Sequence, residues 1–262
     1  MPIWRPADLL WDTDINPEGG YLEMSWDGLT EDGDLDLFFN TGIFVLEDFI
    51  SSAIKADDPY MYIVQPGFKW DITDNVHWKN AVAYYGFEEQ KHSAYFAAPA
   101  IGRTNTTTTG TAGGTPMYNY DSVVVGPELA FDKLFGENWP RIALLGEFIH
   151  SFDPGSRNNG WLAGLKVGTE KIKKKGDWQL YYNYRFLEQD AWPDIFPDAD
   201  FYAGATDVKG HEVAMEYGIF DNVNLGLDYY YAEPISNGSR NPTFTPAFGP
   251  EHILQADVNL KF

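Results

Sequence analysis

The feature that most constrains the fold is a strict alternation of apolar and polar residues at the end of the chain. Residues 251–262 read EHILQADVNLKF, and every second position of this stretch is apolar: Leu254, Ala256, Val258, Leu260 and Phe262. The positions between them are polar. A period of two over roughly ten residues predicts a β-strand with one face in an apolar medium and the other in water.

The same alternation recurs along the whole chain. It predicts ten further strands, at residues 21–26, 35–46, 61–72, 76–87, 122–134, 140–152, 160–172, 177–187, 210–220 and 223–231. In residues 76–87 both parities hold a polar residue, so the pattern leaves open which face of that strand is apolar. Residues 88–119 have no such period and include a threonine-rich, low-complexity stretch. The chain is therefore expected to be all-β.

The predicted connections alternate in length. Those after the third, fifth, seventh and ninth strands are short, whereas those after the second, fourth, eighth and tenth are long. Short turns at one end and long loops at the other are typical of outer-membrane β-barrels, whose short turns face the periplasm. The pattern predicts an antiparallel transmembrane β-barrel over residues 21–262, with residues 1–20 as an extracellular loop leading into it and residues 88–119 as a long loop.

An odd strand number has a topological consequence. Single-chain bacterial barrels have an even number of strands, with both ends of the chain on one side of the membrane. We therefore expect at least one more strand to precede Met1 or to come from another chain; the alternative is that one strand was split or missed. Residues 1–4, MPIW, do not begin a signal peptide, so a mature segment, a fragment or part of a longer protein is expected.

Composition narrows the class further. No run of about 18 apolar residues exists, so no transmembrane helix is predicted, whereas barrel strands need only about 9–11 residues. Aromatic residues make up 16% of the chain, which suits the belts where a barrel meets lipid headgroups. The net charge of −21 argues against binding to nucleic acid. Cysteine is absent, which excludes disulfides and Cys-ligated metals.

Three stretches together resemble the carboxyl-terminal part of the bacterial "putative porin" family: WRPADLLWDTDINPEG at residues 4–19, DDPY at 57–60 and VNLKF at 258–262. The last strand, with its final Phe262, is also similar to the closing strand of outer-membrane barrels, where the terminal aromatic residue is read by the barrel assembly machinery. The resemblance implies a passive channel within a fuller barrel of about sixteen strands, an even number as such barrels require. It implies no particular solute.

If the apolar parity of each strand faces lipid, the other parity faces the barrel interior. This assigns a set of charged residues to the pore lining: Glu23, Asp36, Lys69, Glu128, Asp132, Glu147, Lys166, Arg185, Glu212, Glu216, Asp228, Asp257 and Lys261. Acids outnumber bases in this set, so we expect a negative interior that favours cations. The alternative is that the acids pair with the bases, or lie at wide, screened rims.

Small residues on the same parity allow more than one interpretation. The glycines concerned are Gly42, Gly67, Gly126, Gly164, Gly218 and Gly226. They are expected to ease barrel curvature, but they could also widen the pore or let a loop pack against the wall. The threonine-rich loop is likewise expected to be external, with an inward-folded constriction as the alternative.

Other site chemistries have weaker support. His150, Ser151 and Asp153 have the residue types of a hydrolase triad, but neighbours on an extended strand point to opposite faces and cannot converge. The acidic groups Asp12/Asp14/Glu18 and Asp32/Asp34 lack a recognised Ca²⁺-binding spacing and are interpreted as solvated loop charge. We therefore predict no catalytic residue, no metal and no cofactor.

The sequence thus predicts an outer-membrane porin, a passive diffusion channel for small hydrophilic solutes with mild cation preference. One alternative is a barrel that sheathes a periplasmic or electron-transfer partner; another is an outer-membrane hydrolase. The expected partners are membrane lipid, lipopolysaccharide and the barrel assembly machinery, with a homotrimer open and nucleic acid excluded. Solute, pore radius and strand total are left open by the residues.

Overall fold

A computed structural model describes residues 3–46, 58–91, 104–108, 114–136, 138–236 and 249–260. Eleven antiparallel strands form one sheet in sequential order, which confirms the all-β prediction. The strands are β1 (Glu18–Trp26), β2 (Leu35–Val45), β3 (Tyr60–Thr73), β4 (Val76–Glu88), β5 (Ser122–Asp132), β6 (Arg141–Ser151), β7 (Asn159–Gly168), β8 (Trp178–Leu187), β9 (Val208–Phe220), β10 (Val223–Pro234) and β11 (Glu251–Leu260). Over the described residues the sheet is not closed, and β1 and β11 are its two edges.

The largest difference from the predicted strand boundaries is at β7. The alternation predicted a strand through residue 172, but β7 ends at Gly168. Gly168 has a φ of +122°, a conformation that side-chain-bearing residues rarely adopt, and a Cβ there would lie 2.1 Å from the carbonyl oxygen of Trp178. Residues 169–177 therefore form the connection to β8, in which Ile172 is buried.

The connections separate the two ends of the sheet. One end, here called the short-turn end, carries residues 27–34, 74–75, 133–140, 169–177 and 221–222. The other, the long-loop end, carries residues 46–59, 89–121, 152–158, 188–207 and 235–250. The predicted contrast in length holds, although 152–158 is as short as several connections at the opposite end, and parts of the longest ones lie outside the described residues.

One face of the sheet, the outer face, is apolar and exposed. Its middle carries aliphatic side chains such as Leu144, Leu225 and Leu227, which are 43–50% exposed. Aromatic side chains lie toward both ends of the strands: Trp70 contacts Trp78 near the short-turn end, and Trp161 contacts Phe186 near the long-loop end. An uncharged band between two aromatic belts is the surface that a membrane-spanning barrel presents to lipid.

Helices contribute little to the described structure. A 3₁₀ turn at Tyr202–Gly204 is the helical element there, and the described residues include no helix with the length and apolar character to cross a membrane.

The opposite face, the inner face, is covered at the long-loop end by two pieces of chain. Residues 3–15, here called the inner segment, lie across the strands, and residues 188–207, the covering connection, pack beside them. Leu9, Leu10 and Trp11 of the inner segment are buried against the sheet and against Trp192. Residues 3–15 form part of the core, because their apolar side chains pack against apolar side chains of β3 and β4. That residues 1–20 lie on the extracellular side stays a prediction.

Candidate functional site

The strand register places the predicted pore-lining residues on one face. Glu23 pairs with Asn40, which pairs with Gln65, and Lys69 pairs with Lys79, which pairs with Glu128. The same parity continues through Glu147, Lys166, Arg185, Glu212, Glu216, Asp228 and Asp257, and it also includes Asp36 and Asp132. Lys261 lies outside the described residues. The strand register thus places these residues together on the inner face. That they line a pore stays a prediction.

The inner segment is fixed to this face by directed contacts. The side-chain amide of Gln65 on β3 accepts a hydrogen bond from the Trp4 backbone N–H (2.9 Å) and donates one to the Trp4 carbonyl (2.8 Å). Farther along, the indole of Trp192 donates to the Leu10 carbonyl at 2.8 Å. The Asp12 backbone N–H donates to the Phe196 carbonyl at 2.7 Å. The segment is therefore tied both to the wall and to the covering connection.

A glycine makes room for the segment on β5. A Cβ at Gly126 would lie 2.8 Å from Cδ of Pro6, closer than packed atoms tolerate. At Gly126, therefore, the reading in which a loop packs against the wall holds. At Gly226 the nearest described atom to such a Cβ is 3.8 Å away, so none of the described loop residues packs there.

Arg185 on β8 is one of the most buried charged groups of the inner face. Its guanidinium donates to both carboxylate oxygens of Asp8 on the inner segment, at 3.2 and 3.3 Å, and to Glu212 on β9. The Arg185 side chain is 4% exposed and that of Glu212 6%. The guanidinium also lies 4.4 Å above the ring of Phe201 in the covering connection. One side chain thus joins two strands and both covering pieces.

Glu147 on β6 is also buried. It borders a small cavity together with Arg5, Pro6 and Tyr85, beneath the inner segment. Glu147 and Arg185, both predicted to line an open pore, are therefore covered by residues 3–15. Glu212 is buried as well but borders a larger cavity.

That larger space, here called the acidic cavity, has a volume of about 600 Å³ and lies between the inner segment and β7–β10. Its basic residues are Arg5 and Lys166. Its carboxylates are Asp8, Asp12, Asp14, Asp198, Asp200, Glu212, Glu216 and Asp228. An excess of carboxylates around water-filled space creates a negative potential that attracts cations. Several of these carboxylates come from the two covering pieces and not from the sheet.

A second space, the mixed cavity, lies on the other side of Trp4 and has a volume of about 550 Å³. Its charged residues are Glu23, Asp27, Asp36, Lys69 and Lys79. The ammonium of Lys79 lies 4.6 Å from the centre of the Trp4 ring, a cation–π contact that anchors the start of the inner segment. The inner segment therefore separates a space in which acids and bases are nearly balanced from one with a large excess of acids.

Near the short-turn end, partly exposed charged and polar side chains form a chain of contacts across β3–β6, here called the rim charge chain. Lys69 contacts Asp71 at 3.1 Å, and Asp71 contacts His77 at 2.6 Å. Arg141 then contacts Asp132 at 3.2 Å and Glu128 at 3.3 Å, while His77 contacts Asp132 at 3.3 Å. Here some predicted pore-lining acids do pair with bases, as the alternative interpretation proposed.

The covering connection is itself held by the described part of the threonine-rich loop. The Asn105 side chain donates to the carbonyls of Gln189 (2.6 Å) and Trp192 (2.9 Å), and the Thr106 hydroxyl donates to Asp190 at 2.6 Å. Burial raises the pKa of the Asp190 carboxyl despite those hydrogen bonds. Residues 104–106 are thus fixed against residues 188–207. That the threonine-rich loop is external stays a prediction, and residues 109–113 lie outside the described residues.

The covering connection also carries a titratable group beside the acidic cavity. Burial, reinforced by the negative charge of Asp8, raises the pKa of Asp198 to about 6. Its carboxylate accepts a hydrogen bond from the Asp200 backbone N–H at 2.9 Å. The charge of the cavity therefore changes within the pH range where bacteria grow.

The residue types of a hydrolase triad do not come together. His150 contacts Asn159 through Nδ1 at 2.9 Å, whereas the Ser151 hydroxyl donates to the Asp121 carbonyl at 3.4 Å. Asp153 accepts hydrogen bonds from the backbone N–H groups of Asn119 and Tyr120. Within the described ranges, no three His, Asp or Glu side chains are grouped so as to hold a metal ion.

Sequence reasoning missed Asp8, Asp198 and Lys79. The register of residues 76–87 was ambiguous; in the structure Trp78 and Val82 face outward, which places Lys79 inside. For Asp8 there was a usable signal: Leu9, Leu10 and Trp11 beside it are too apolar for an exposed loop, so the stretch had to be buried somewhere.

Comparison with protein families adds one finding. The family model described as "Putative porin" matches residues 2–125 and 129–262, nearly the whole chain. No match was found among curated proteins. The resemblance carried by residues 4–19 and 258–262 is thereby confirmed, and the single antiparallel sheet fits a β-barrel. The chain belongs to the putative porin family.

Proposed function

We propose that this chain forms the wall of a passive diffusion channel in the bacterial outer membrane, with a mild preference for cations. The observation that carries the proposal is the acidic cavity on the inner face, behind an outer face that is apolar and belted with aromatic residues. Water and small solutes would cross on the acidic side of the inner segment. Carboxylates such as Glu216 and Asp228 would concentrate cations there and repel anions.

The other interpretations have less support. A barrel that sheathes a partner protein needs an uncovered inner face, yet residues 3–15 and 188–207 already occupy the face at the long-loop end. A hydrolase needs convergent catalytic groups, and His150, Ser151 and Asp153 bond to different partners. Lipid, lipopolysaccharide, the assembly machinery and a homotrimer remain proposals that follow from the porin interpretation.

The test is the reversal potential of single channels in a planar bilayer under a KCl gradient. We expect a stable conductance with a cation-selective reversal potential. The double variant Glu216→Gln/Asp228→Asn, which removes charge from the acidic cavity, should move the reversal potential toward zero.

The matched control is Glu23→Gln/Asp27→Asn, which makes the same change of charge in the mixed cavity. It should have a smaller effect, because Lys69 and Lys79 already offset most of the negative charge there. A correctly folded protein without conductance would contradict the proposal, and equal shifts in the two double variants would contradict the route through the acidic cavity.

A further inference from the structure

We propose that the inner segment is a docked partition of the channel, that Arg185 is its positioning residue, and that docking sets the open cross-section. This inference rests on the proposed channel function and deepens it. Docking of the inner segment controls the width of the lumen, whereas the charge of the acidic cavity controls which ions pass through it.

The inner segment lies across several strands of the sheet. Within the few residues from Trp4 to Asp8 it contacts Gln65 on β3, Gly126 on β5 and Arg185 on β8. A stretch that touches strands this far apart in the sheet runs across the lumen and not along one strand. It therefore divides the interior into the acidic and mixed cavities, and leaving its place would merge them.

The inner segment is not paired into the sheet. From Trp4 to Asp8 it is held by side-chain contacts with the Gln65 amide, the Lys79 ammonium and Arg185. From Leu9 to Asp12 it is held by core packing and by hydrogen bonds to the covering connection. Side-chain contacts break without unpairing any strand, so residues 4–8 can leave the wall while residues 9–12 and the strands stay in place.

The Arg185 guanidinium keeps hydrogen-bond partners when Asp8 is removed. Glu212 on the neighbouring strand binds the same guanidinium, and Asn183 accepts a hydrogen bond from its Nε at 3.3 Å. If the Asp8–Arg185 contact breaks, Arg185 is therefore still paired with Glu212. Asp8, in contrast, loses the contact that positions it. The Asp8 side chain is 26% exposed, so water reaches it from the acidic cavity. The contact therefore matters for the position of the inner segment and little for the stability of the strands.

The absence of cysteine allows a direct test of docking by labelling. Pro6→Cys places a thiol at a buried position of the segment, and Thr13→Cys places one at an exposed position of the same segment. With the protein folded in lipid vesicles, a water-soluble maleimide should label the Pro6→Cys thiol much more slowly than the Thr13→Cys thiol. Adding Asp8→Asn should accelerate labelling at position 6 by about tenfold, the order expected when a charge-assisted pair is lost.

The matched control is Asp14→Asn. It removes the same charge from the same cavity and the same segment, but the Asp14 carboxylate makes no ion pair or hydrogen bond within the described residues. It should leave labelling at position 6 unchanged. Arg185→Met provides a second route to an undocked segment, and Asp8→Glu should restore slow labelling.

Single-channel conductance is the second readout. Asp8→Asn should raise the conductance, or produce switching to a wider level, whereas Asp14→Asn should not. Position 6 labelled as fast as position 13, or identical behaviour of Asp8→Asn and Asp14→Asn, would overturn the inference. If labelling follows the prediction and no variant conducts, the channel function is overturned and the width claim with it, while the docking is upheld.

Discussion

The inner face holds two clusters of the same charged residue types in opposite surroundings. Arg185 with Asp8 and Glu212 lies beneath the inner segment and the covering connection, and its guanidinium side chain is 4% exposed. Arg141 with Glu128 and Asp132 belongs to the rim charge chain, and its side chain is 22% exposed. Both arginines lie on the sheet and contact two carboxylates each. The difference between them is what covers them.

Burial changes how much an ion pair contributes to stability and geometry. In water a salt bridge is worth about 0–1 kcal/mol, because solvation competes with the partner. In a buried pair, water no longer competes for the charges, so each charge depends on its partner. The pair then fixes the relative positions of the chain segments that carry it. The Arg185 cluster therefore fixes the positions of the chain segments that it joins, whereas the rim charge chain stays accessible to water. Variants at the two clusters should therefore differ in stability.

Replacing each arginine by methionine should separate the two clusters. Arg185→Met leaves Asp8 and Glu212 without their cation and should lower the free energy of unfolding by about 3–5 kcal/mol. Arg141→Met should lower it by about 0–1 kcal/mol. Urea unfolding in lipid vesicles measures both. Similar losses in the two variants would mean that the cover does not isolate Arg185 from water.

Adding a side chain to a glycine should distinguish covered from open wall. Gly126→Val would push against Pro6 and should cost about 1–3 kcal/mol, the usual range for overpacking. Gly226→Val, on the same face but with no atom within 3.8 Å of the added Cβ, is the control and should change stability by less than about 0.5 kcal/mol. The same unfolding assay applies, and equal costs would place Pro6 away from β5.

The smallest expected effect is a pH dependence that differs in sign between two aspartates. Burial raises the pKa of Asp198 to about 6, above its usual value of 3.8. The folded state is therefore favoured when Asp198 is protonated, and this contribution is lost as pH rises through about 6. Asp198→Asn should remove that part of the change in unfolding free energy between pH 5 and 7.

Asp177, in the connection before β8, should behave in the opposite way. Hydrogen bonds from the backbone N–H groups of Lys173 and Lys174 lower its pKa below 3.8. Its contribution to stability is present above pH 4 and is lost as pH falls through the lowered pKa. Asp177→Asn should leave the profile between pH 5 and 7 unchanged, and a change there would contradict the assignment.

Local patterns were sufficient to predict the wall. Alternation of apolar and polar residues predicted all eleven strands, and parity alone placed Glu128, Glu212 and Asp228 on one face. Both depend only on the period of two that a strand imposes on its own residues. Where the period was obscured, as in residues 76–87, the assignment of Lys79 was missed. Where a single backbone conformation ended the strand, as at Gly168, the boundary was wrong.

Local patterns could not predict the inner layer. Residues 3–15 have no period, because they pack as an irregular segment against many strands. The partner of Arg185 lies 177 positions away in the sequence, and nothing near either residue specifies the other. Parity assigned Arg185 and Glu147 to an open pore because parity gives a face and not what covers it. The apolar run at residues 9–11 was the one indication that residues 3–15 are buried.

The distant contacts of the inner segment also determine when it can dock. Leu10 is hydrogen-bonded to a residue 182 positions later, and Asp8 to one 177 positions later. Such non-local contacts form late, since the intervening chain must first be ordered. The segment can take its place only after β8, β9 and the covering connection exist. During assembly we therefore expect a stage in which the strands are paired but the acidic and mixed cavities are still one space, with docking of the inner segment among the last steps of folding.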